Sequence, residues 1–386
     1  MSPRRLLFYV QHLLGIGHLK RAATLTRALV AAGFDVTVVS GGMEVPGVDL
    51  GTARFVQLAA TRATDVSFKT LVDANDTPID DGWRARRRDA LLDVYTSFNP
   101  QVLLFELFPF GRRQMRFEVM PVIEDAAQRA QRPVIVSSVR DVLVAQAKEE
   151  RNREMLALVN QYFDHVLVHG DPGFIPFDRT FLLAREIAGK LIYTGYVVDR
   201  SGRSAINTGQ GQGEVIVSAG GGAVGIAFLR VAMQARALTA LNDRPWRILV
   251  GVNVPADDFA RLQAIAPDGC IVERGRADFT ALLTNCTLSL SQGGYNTVME
   301  ALEAGARTVV VPYAGGLETE QTLRAREFER RGVLHVVDEP ALSPDSLAAA
   351  VTKAMAAPPG NNRSLDTSGA ETSARLLRGW ADAVPW

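Results

Sequence analysis

The stretch SLSQGGYNTVMEALEAG, residues 289–305, governs how the rest of the chain is read. A strand-like run meets Gln292, Gly293 and Gly294, and an amphipathic segment carrying Glu300 follows at once. A strand that turns through glycines directly into a helix is the elementary unit of an α/β sheet. The same turn leaves main-chain N–H groups uncovered at the positive end of the helix dipole, where an anion is favoured. On these residues alone, two readings stay open: a tight turn with a solvated glutamate, and a cradle for a phosphorylated ligand.

Working outward, the same unit recurs. In the second half the apolar runs are EVIVSAGGG (214–222), WRILVGVN (246–253), CIVERG (270–275), CTLSLSQGG (286–294) and RTVVVPY (307–313). In the first half they are RLLFYV (5–10), DVTVVSGG (35–42), QVLLFEL (101–107), RPVIVSSV (132–139) and HVLVHG (165–170). Helical segments separate them; Leu19, Ala22, Thr26, Leu29 and Gly33 share one face of the first. Strands alternating with helices predict doubly wound parallel sheets covered on both sides. The polar, glycine-rich DRSGRSAINTGQGQG, residues 199–213, interrupts the pattern as a linker. The expected organisation is therefore a Rossmann-like domain over 1–198, the linker, a second such domain over 214–365, and a C-terminal helix over 366–386 packing back on the first domain. Ligands of such sheets bind beyond the carboxyl ends of the strands. Two facing domains would open both sets of ends onto an interdomain cleft.

A chain of 386 residues exceeds one ordinary core, in keeping with two domains. The balance of 42 Lys plus Arg against 42 Asp plus Glu argues against bulk attraction to nucleic acid or anionic membrane. Two cysteines, Cys270 and Cys286, lack metal-ligand spacing and fit reduced thiols in a cytoplasm. The start, MSPRRLLFYVQHLLG, superficially resembles a signal peptide. Gln11 and His12 break its apolar run, so it reads as a first buried strand. No apolar run reaches the roughly 20 residues of a membrane span. The expected location is the cytoplasm, with peripheral contact at the inner face of the membrane left open.

The loop SAGGGAVG, 218–225, follows a strand and opens a helix. Gly220, Gly221 and Gly222 clear the main chain for an anion, without the Gly-Lys-Ser/Thr of a Walker loop. With Gly293, Gly294, Asn296 and Thr297 of the opening stretch, this gives two anion cradles in one half, which suits a diphosphate. Glu300 is placed to accept from vicinal hydroxyls of a ribose. In VPYAGGLETEQTLRAREF, Glu320 and Gln321 precede an arginine-rich helical run. They suit either sugar hydroxyls or helix capping.

In the first half, QHLLGIGHLKR (11–21) turns at Gly15 and Gly17 and puts His18 on the first turn of a helix. Lys20 replaces the third glycine of the dinucleotide fingerprint, so that fingerprint fails. His18 is the candidate general base, with His12 as second choice. Glu106, ending QVLLFE, is the candidate group that orients it. Arg112 and Arg113 beside an aromatic loop, with Arg140 and Asp141 after another strand, suit an acceptor or a phosphate; the run around Arg84–Arg88 reads as a solvated helix face.

Taken in order, these motifs resemble the GT-B glycosyltransferases of family 28, the group that includes the N-acetylglucosamine transferase of peptidoglycan lipid-intermediate synthesis. GIGH resembles the family's N-terminal Gly-Gly-His loop, SAGGG its C-domain glycine loop, and SQGGYNTVMEALEAG with VPYAGGLETEQ its donor-binding signature. FELFPFGRRQMRFE is similar, more closely, to a bacterial group of predicted glycosyltransferases. The resemblance implies that Gly220–Gly222 and Gly293–Gly294 hold a diphosphate and Glu300 the ribose. It gives Glu320 and Gln321 the donor sugar, and backbone near Arg274–Arg276 the base, commonly uracil. Gln292 stands where plant and macrolide relatives carry His, and ETEQ where the peptidoglycan enzyme carries Asp-Arg-Gln-Gln, so the sugar stays open.

Retaining enzymes of this fold show two glutamates separated by seven residues. Here position 292 is Gln, which favours inversion by single displacement. No Asp-x-Asp pattern occurs, so no metal or other cofactor is expected beyond the nucleotide-sugar co-substrate, UDP-linked by resemblance and UDP-GlcNAc for choice. The partners expected are that nucleotide sugar and an acceptor hydroxyl on a glycan, a lipid-linked sugar or a small natural product. Two alternatives remain. GIGHLKRA also resembles a UDP-sugar hydrolase of pseudaminic acid synthesis, and a non-catalytic sugar-nucleotide binding protein would keep the same donor site.

Overall fold

Apolar runs buried on both faces make the frame of this protein. The computed structural model describes residues 3–65, 68–143, 149–201, 209–220, 225–315, 319–357 and 365–384. It divides into two compact units, Met1–Val197 with Asp366–Trp386, and Val198–Leu365.

The first unit runs β1 (Arg4–Val10), α1 (Gly17–Ala31), β2 (Phe34–Ser40), β3 (Arg54–Gln57) and a hairpin of β4 (Thr61–Ala63) with β5 (Leu71–Asp73). It continues through α2 (Asp81–Phe98), β6 (Val102–Glu106), α3 (Arg116–Gln128), β7 (Val134–Arg140), α4 (Glu149–Tyr162), β8 (His165–His169) and β9 (Leu191–Tyr193). Seven strands pair in parallel in the order β3-β2-β1-β6-β7-β8-β9. Strand alternation sends Leu7, Tyr9, Leu103 and Phe105 into one core and Leu6, Phe8, Val102 and Leu104 into the other. That two-sided burial is why RLLFYV and QVLLFEL read as unbroken apolar runs.

The second unit runs β10 (Val215–Ser218), α5 (Ile226–Ala235), β11 (Trp246–Val250), α6 (Ala256–Ala264), β12 (Cys270–Arg274), α7 (Phe279–Asn285) and β13 (Leu288–Gln292). Then come α8 (Tyr295–Glu303), β14 (Thr308–Val311), α9 (Glu320–Arg330), β15 (His335–Val336) and α10 (Pro344–Ala356). Its six parallel strands take the order β12-β11-β10-β13-β14-β15. Ser343 caps α10 through a reciprocal box with Ser346.

The chain then returns to the first unit as α11 (Gly369–Ala383). Ala370, Ala374, Leu377 and Ala381, at helical spacing, join Leu19, Ala22, Leu25 and Leu29 of α1 in one buried cluster. Leu377 is fully buried, and a truncation to alanine there would cost about 2–5 kcal/mol.

The sequence pattern missed β3, β4, β5, β9 and β15. The reason is physical. In β3, Arg54, Phe55 and Gln57 are exposed at the sheet edge, so no apolar run marks it. The others have only two or three residues each.

Candidate functional site: two strand-order reversals

In each sheet the strand order reverses once, between β1 and β6 in the first and between β10 and β13 in the second. Connections leave such a pair on opposite sides and open a crevice at the carboxyl ends of the strands.

At the first reversal α1 follows β1, so His18 sits on its opening turn, while Glu106 is the last residue of β6. His18 Nδ1 lies 2.8 Å from Glu106 Oε1. The guanidinium of Arg21, one turn along α1, bonds the same oxygen. Ser138, the register partner of Glu106 on β7, donates from Oγ to Glu106 Oε2 at 2.9 Å. Behind it, His169 Nε2 lies 2.9 Å from Ser138 Oγ, and His169 Nδ1 lies 2.9 Å from Thr194 Oγ1. Glu106, Ser138 and His169 are fully buried, whereas the His18 side chain keeps 12% of its surface.

The electrostatics follow from that burial. His18 is held well below the ordinary imidazole value, first by desolvation and then by Arg112, Arg140, Arg21 and His12. It is therefore neutral at neutral pH. A carboxylate can only accept, so the single imidazole proton belongs on Nδ1, which leaves the Nε2 lone pair available to take a proton. His169 is pushed down to about 3 by burial, reinforced by Arg21. Arg112 falls to about 10, again chiefly through burial and then Arg140.

The other candidates of this half are distributed differently. Arg112, in a left-handed conformation (φ 58°), donates from Nε to the Gln11 carbonyl at 2.6 Å. Leu107 nearby is also left-handed (φ 68°), so the loop after Glu106 is tightly constrained. Arg113 is exposed and pairs with Glu154 of α4 at 3.1 Å. Arg140 ends β7, and Asp141 is buried, accepting from the Val142 amide at 2.9 Å. Gly15 and Gly17 are exposed. His12 is buried to 3% exposure, with its ring against Gly42. Burial, with Arg112 adding to it, lowers His12 as well.

At the second reversal the turns after β10 and β13 meet. A Cβ on Gly220, whose φ is +76°, would lie 3.9 Å from Thr297 Oγ1. Gly221 and Gly222 lie outside the described residues. Gly294 stands at the N-cap of α8 with no side-chain cap, so main-chain donors of the first turn are left to other partners. Asn296, Thr297 and Glu300 are half-buried on that helix. Gln292 is buried, and its amide fills the space that a Cβ on Gly225 (φ +102°) would need, 2.8 Å from Gln292 Oε1.

Glu320 and Gln321, read from the sequence as preceding a helix, open α9 instead. Glu320 is 2% exposed and paired with Arg324 at 3.0 Å, while Arg324 covers the Tyr295 ring with its guanidinium 5.1 Å from the centroid. Gln321 Oε1 accepts from the Tyr313 amide at 3.1 Å. The Arg274 side chain donates to the Gly251 and Val254 carbonyls at 2.9 and 2.7 Å. Arg276 pairs with Asp278 at 2.6 Å. Their side chains are thus engaged within the loops. Among the described residues, no group of three or more His, Cys, Asp or Glu is placed to hold a metal ion, and no helix is long and apolar enough to cross a membrane.

Sequence reasoning missed Arg21, Ser138, His169 and Thr194. The available signal was a polar residue closing two apolar runs, Glu106 on β6 and His169 on β8, with the serine pair Ser137 and Ser138 on β7 between them.

Two parallel Rossmann-like sheets with their glycine turns at the reversal points define the GT-B fold of glycosyltransferases. Solved structures share it. The calicheamicin glycosyltransferase CalG4 is 17% identical, with complete coverage of both chains and a TM-score of 0.64. The spinosyn rhamnosyltransferase SpnG complexed with thymidine diphosphate is 18% identical over 99% of this chain and 97% of that one, with a TM-score of 0.61. Within that class the chain is family 28-like: residues 276–376 match the glycosyltransferase family 28 C-terminal domain. A UDP-N-acetylglucosamine--N-acetylmuramyl-(pentapeptide) pyrophosphoryl-undecaprenol N-acetylglucosamine transferase from Mesorhizobium japonicum is 30% identical over 184 residues, 46% of this chain and 48% of that protein. The match thus spans about half the length of this curated relative.

Proposed function

We propose that this protein is an inverting, metal-independent glycosyltransferase that moves a sugar from a nucleoside diphosphate, by preference UDP, to an acceptor hydroxyl. The single observation that carries the reading is the His18–Glu106 pair, 2.8 Å apart, with an imidazole held neutral and its Nε2 free of that pair. His18 Nε2 takes the acceptor proton as the acceptor oxygen attacks the anomeric carbon. The bond from that carbon to the diphosphate oxygen breaks, and the nucleoside diphosphate departs with the electron pair. Main-chain N–H groups at Gly220 and at the Gly293–Gly294 turn, backed by the α8 dipole, would bear the leaving charge. Glu300, on the second turn of α8, would take the ribose hydroxyls. Relatives support the donor class: the Mesorhizobium protein is named for a UDP-N-acetylglucosamine donor, and the SpnG structure holds thymidine diphosphate. The acceptor class follows them only broadly, as a lipid-linked sugar or a natural product, the former with peripheral membrane contact.

The test is release of nucleoside diphosphate from UDP-, GDP- and dTDP-sugars, with and without cell extract as a source of acceptor. Release that depends on extract is expected. Equal release without extract would replace transfer by hydrolysis, and binding without any release would leave a sugar-nucleotide binding protein.

A further inference from the structure

Beyond the dyad, the first unit holds a buried polar line that the proposed reaction leaves unexplained. It runs from Thr194 through His169 and Ser138 to Glu106, crossing the ends of β8, β7 and β6, with three contacts of 2.9 Å. We propose that Ser138 and His169 are positioning residues: through a one-way sequence of donated protons they fix the Glu106 carboxylate and, through it, the tautomer and orientation of His18. This inference rests on His18 being the base.

The direction of the line follows from counting protons. Glu106 as a carboxylate only accepts, and Ser138 has one hydroxyl proton, within reach of Oε2 at 2.9 Å. Hydrogen bonds to a charged acceptor are roughly twice as strong as neutral ones, so that proton goes to Glu106 rather than to His169. Ser138 Oγ must then accept from His169, which requires a proton on Nε2. His169 is neutral, so its Nδ1 carries none and accepts from the Thr194 hydroxyl. The Gly195 carbonyl, 3.0 Å from Thr194 Oγ1, competes for that last proton. If it won, two lone pairs would face each other at 2.9 Å in a fully buried site, an uncompensated contact.

The charged and titratable groups facing the pair are Arg21 from α1, Arg112 from the loop after β6, Arg140 from the end of β7, His12 from the loop after β1 and His169 from β8. Three arginines against one carboxylate would let Glu106 swing toward any of them. Ser138 limits that freedom by claiming Oε2, which leaves Oε1 to His18 and Arg21 together.

The experiment uses the full chain labelled at histidine with nitrogen-15. In the wild type, His18 is expected as a single Nδ1–H tautomer. In Ser138→Ala and His169→Leu it should become a mixture of Nδ1–H and Nε2–H forms. Turnover should fall about 10- to 100-fold in both variants with the donor KM unchanged, as expected for a misaligned base. His169→Gln, whose amide nitrogen reproduces the Nε2 donor, should restore both the single tautomer and the rate. A purely structural role would lower unfolding temperature without moving the tautomer. A single unchanged tautomer in folded Ser138→Ala, or a mixture in His169→Gln equal to that in His169→Leu, overturns the proposal. If His18→Ala kept its turnover, the base assignment would fall, while the tautomer measurement would still decide the role of Ser138 and His169.

Discussion

The two units reverse their strand order at the same place in their sheets and fill that place in opposite ways. The first presents side chains: His18, Glu106, Arg21, Ser138 and His169 in one hydrogen-bonded cluster. The second presents turns with little side chain on them, Gly220 after β10 and Gly293–Gly294 at the N-terminus of a helix without a side-chain cap. Under the proposed function, one topology would serve two chemistries. Proton transfer needs a titratable atom in a defined place, whereas holding a diphosphate needs only uncovered N–H groups.

The comparison can be broken most sharply at His18. Replacing it with alanine should cost about 10²–10⁴ in turnover, with nucleoside diphosphate affinity unchanged by calorimetry. Loss of affinity in that variant would mean that the two sites do not divide the work as described. Next in size is a change beneath the first site. Arg87, expected on a solvated helix face, instead forms a fully buried pair with Glu118 that also holds Gln11, Tyr9 and the Gly41 and Ala59 carbonyls. Glu118→Ala leaves that guanidinium uncompensated and should lose about 3–5 kcal/mol in denaturant unfolding. A loss below about 1 kcal/mol would show that the network does not brace the first unit.

At the second site, Glu300→Ala should weaken UDP binding by about 1.5–3 kcal/mol, the worth of hydrogen bonds to a charged group, while His18 keeps its tautomer. Equal UDP affinity in wild type and variant would remove Glu300 from the ribose. The smallest effect is a pH slope. His169 titrates near 3 when folded and near the ordinary imidazole value when unfolded, so between about 6.5 and 3 the unfolded chain binds the extra proton. Stability contributed by the neutral ring is complete above that window and is lost as pH falls through it, by at most about 1.4 kcal/mol per pH unit. His18 and His12, also lowered, act with the same sign. His169→Gln should flatten the slope, as read from unfolding midpoints between pH 7 and 5.

Much of this was legible in the sequence because both frameworks are local signals. RLLFYV and QVLLFEL are continuous apolar runs since both faces of β1 and β6 are covered, and SLSQGGYNTVMEALEAG shows its turn in its own residues. The pairing of His18 with Glu106 was readable for a related reason: Glu106 closes β6, His18 opens the helix that follows β1, and those two strands are neighbours. What could not be read were features made by distant register. Ser138 meets Glu106 only because Glu106 and Ser138 pair across β6 and β7, and nothing in SSVR distinguishes that serine from Ser137. Glu320 suited sugar hydroxyls or a helix cap in ETEQ; only the helix geometry shows Arg324 one turn on, claiming it inside the protein.

The return of α11 to the first unit carries a consequence for synthesis. Because the stretch 198–365 is a contiguous body set within the other, the ribosome delivers its whole sequence before the residues that seal α1. The nascent first unit must wait with the α1 face of Leu19, Ala22 and Leu29 open to water, through more than 150 codons at about 5–20 residues per second. The inserted body is therefore free to mature first, and the half that bears the histidine is completed last.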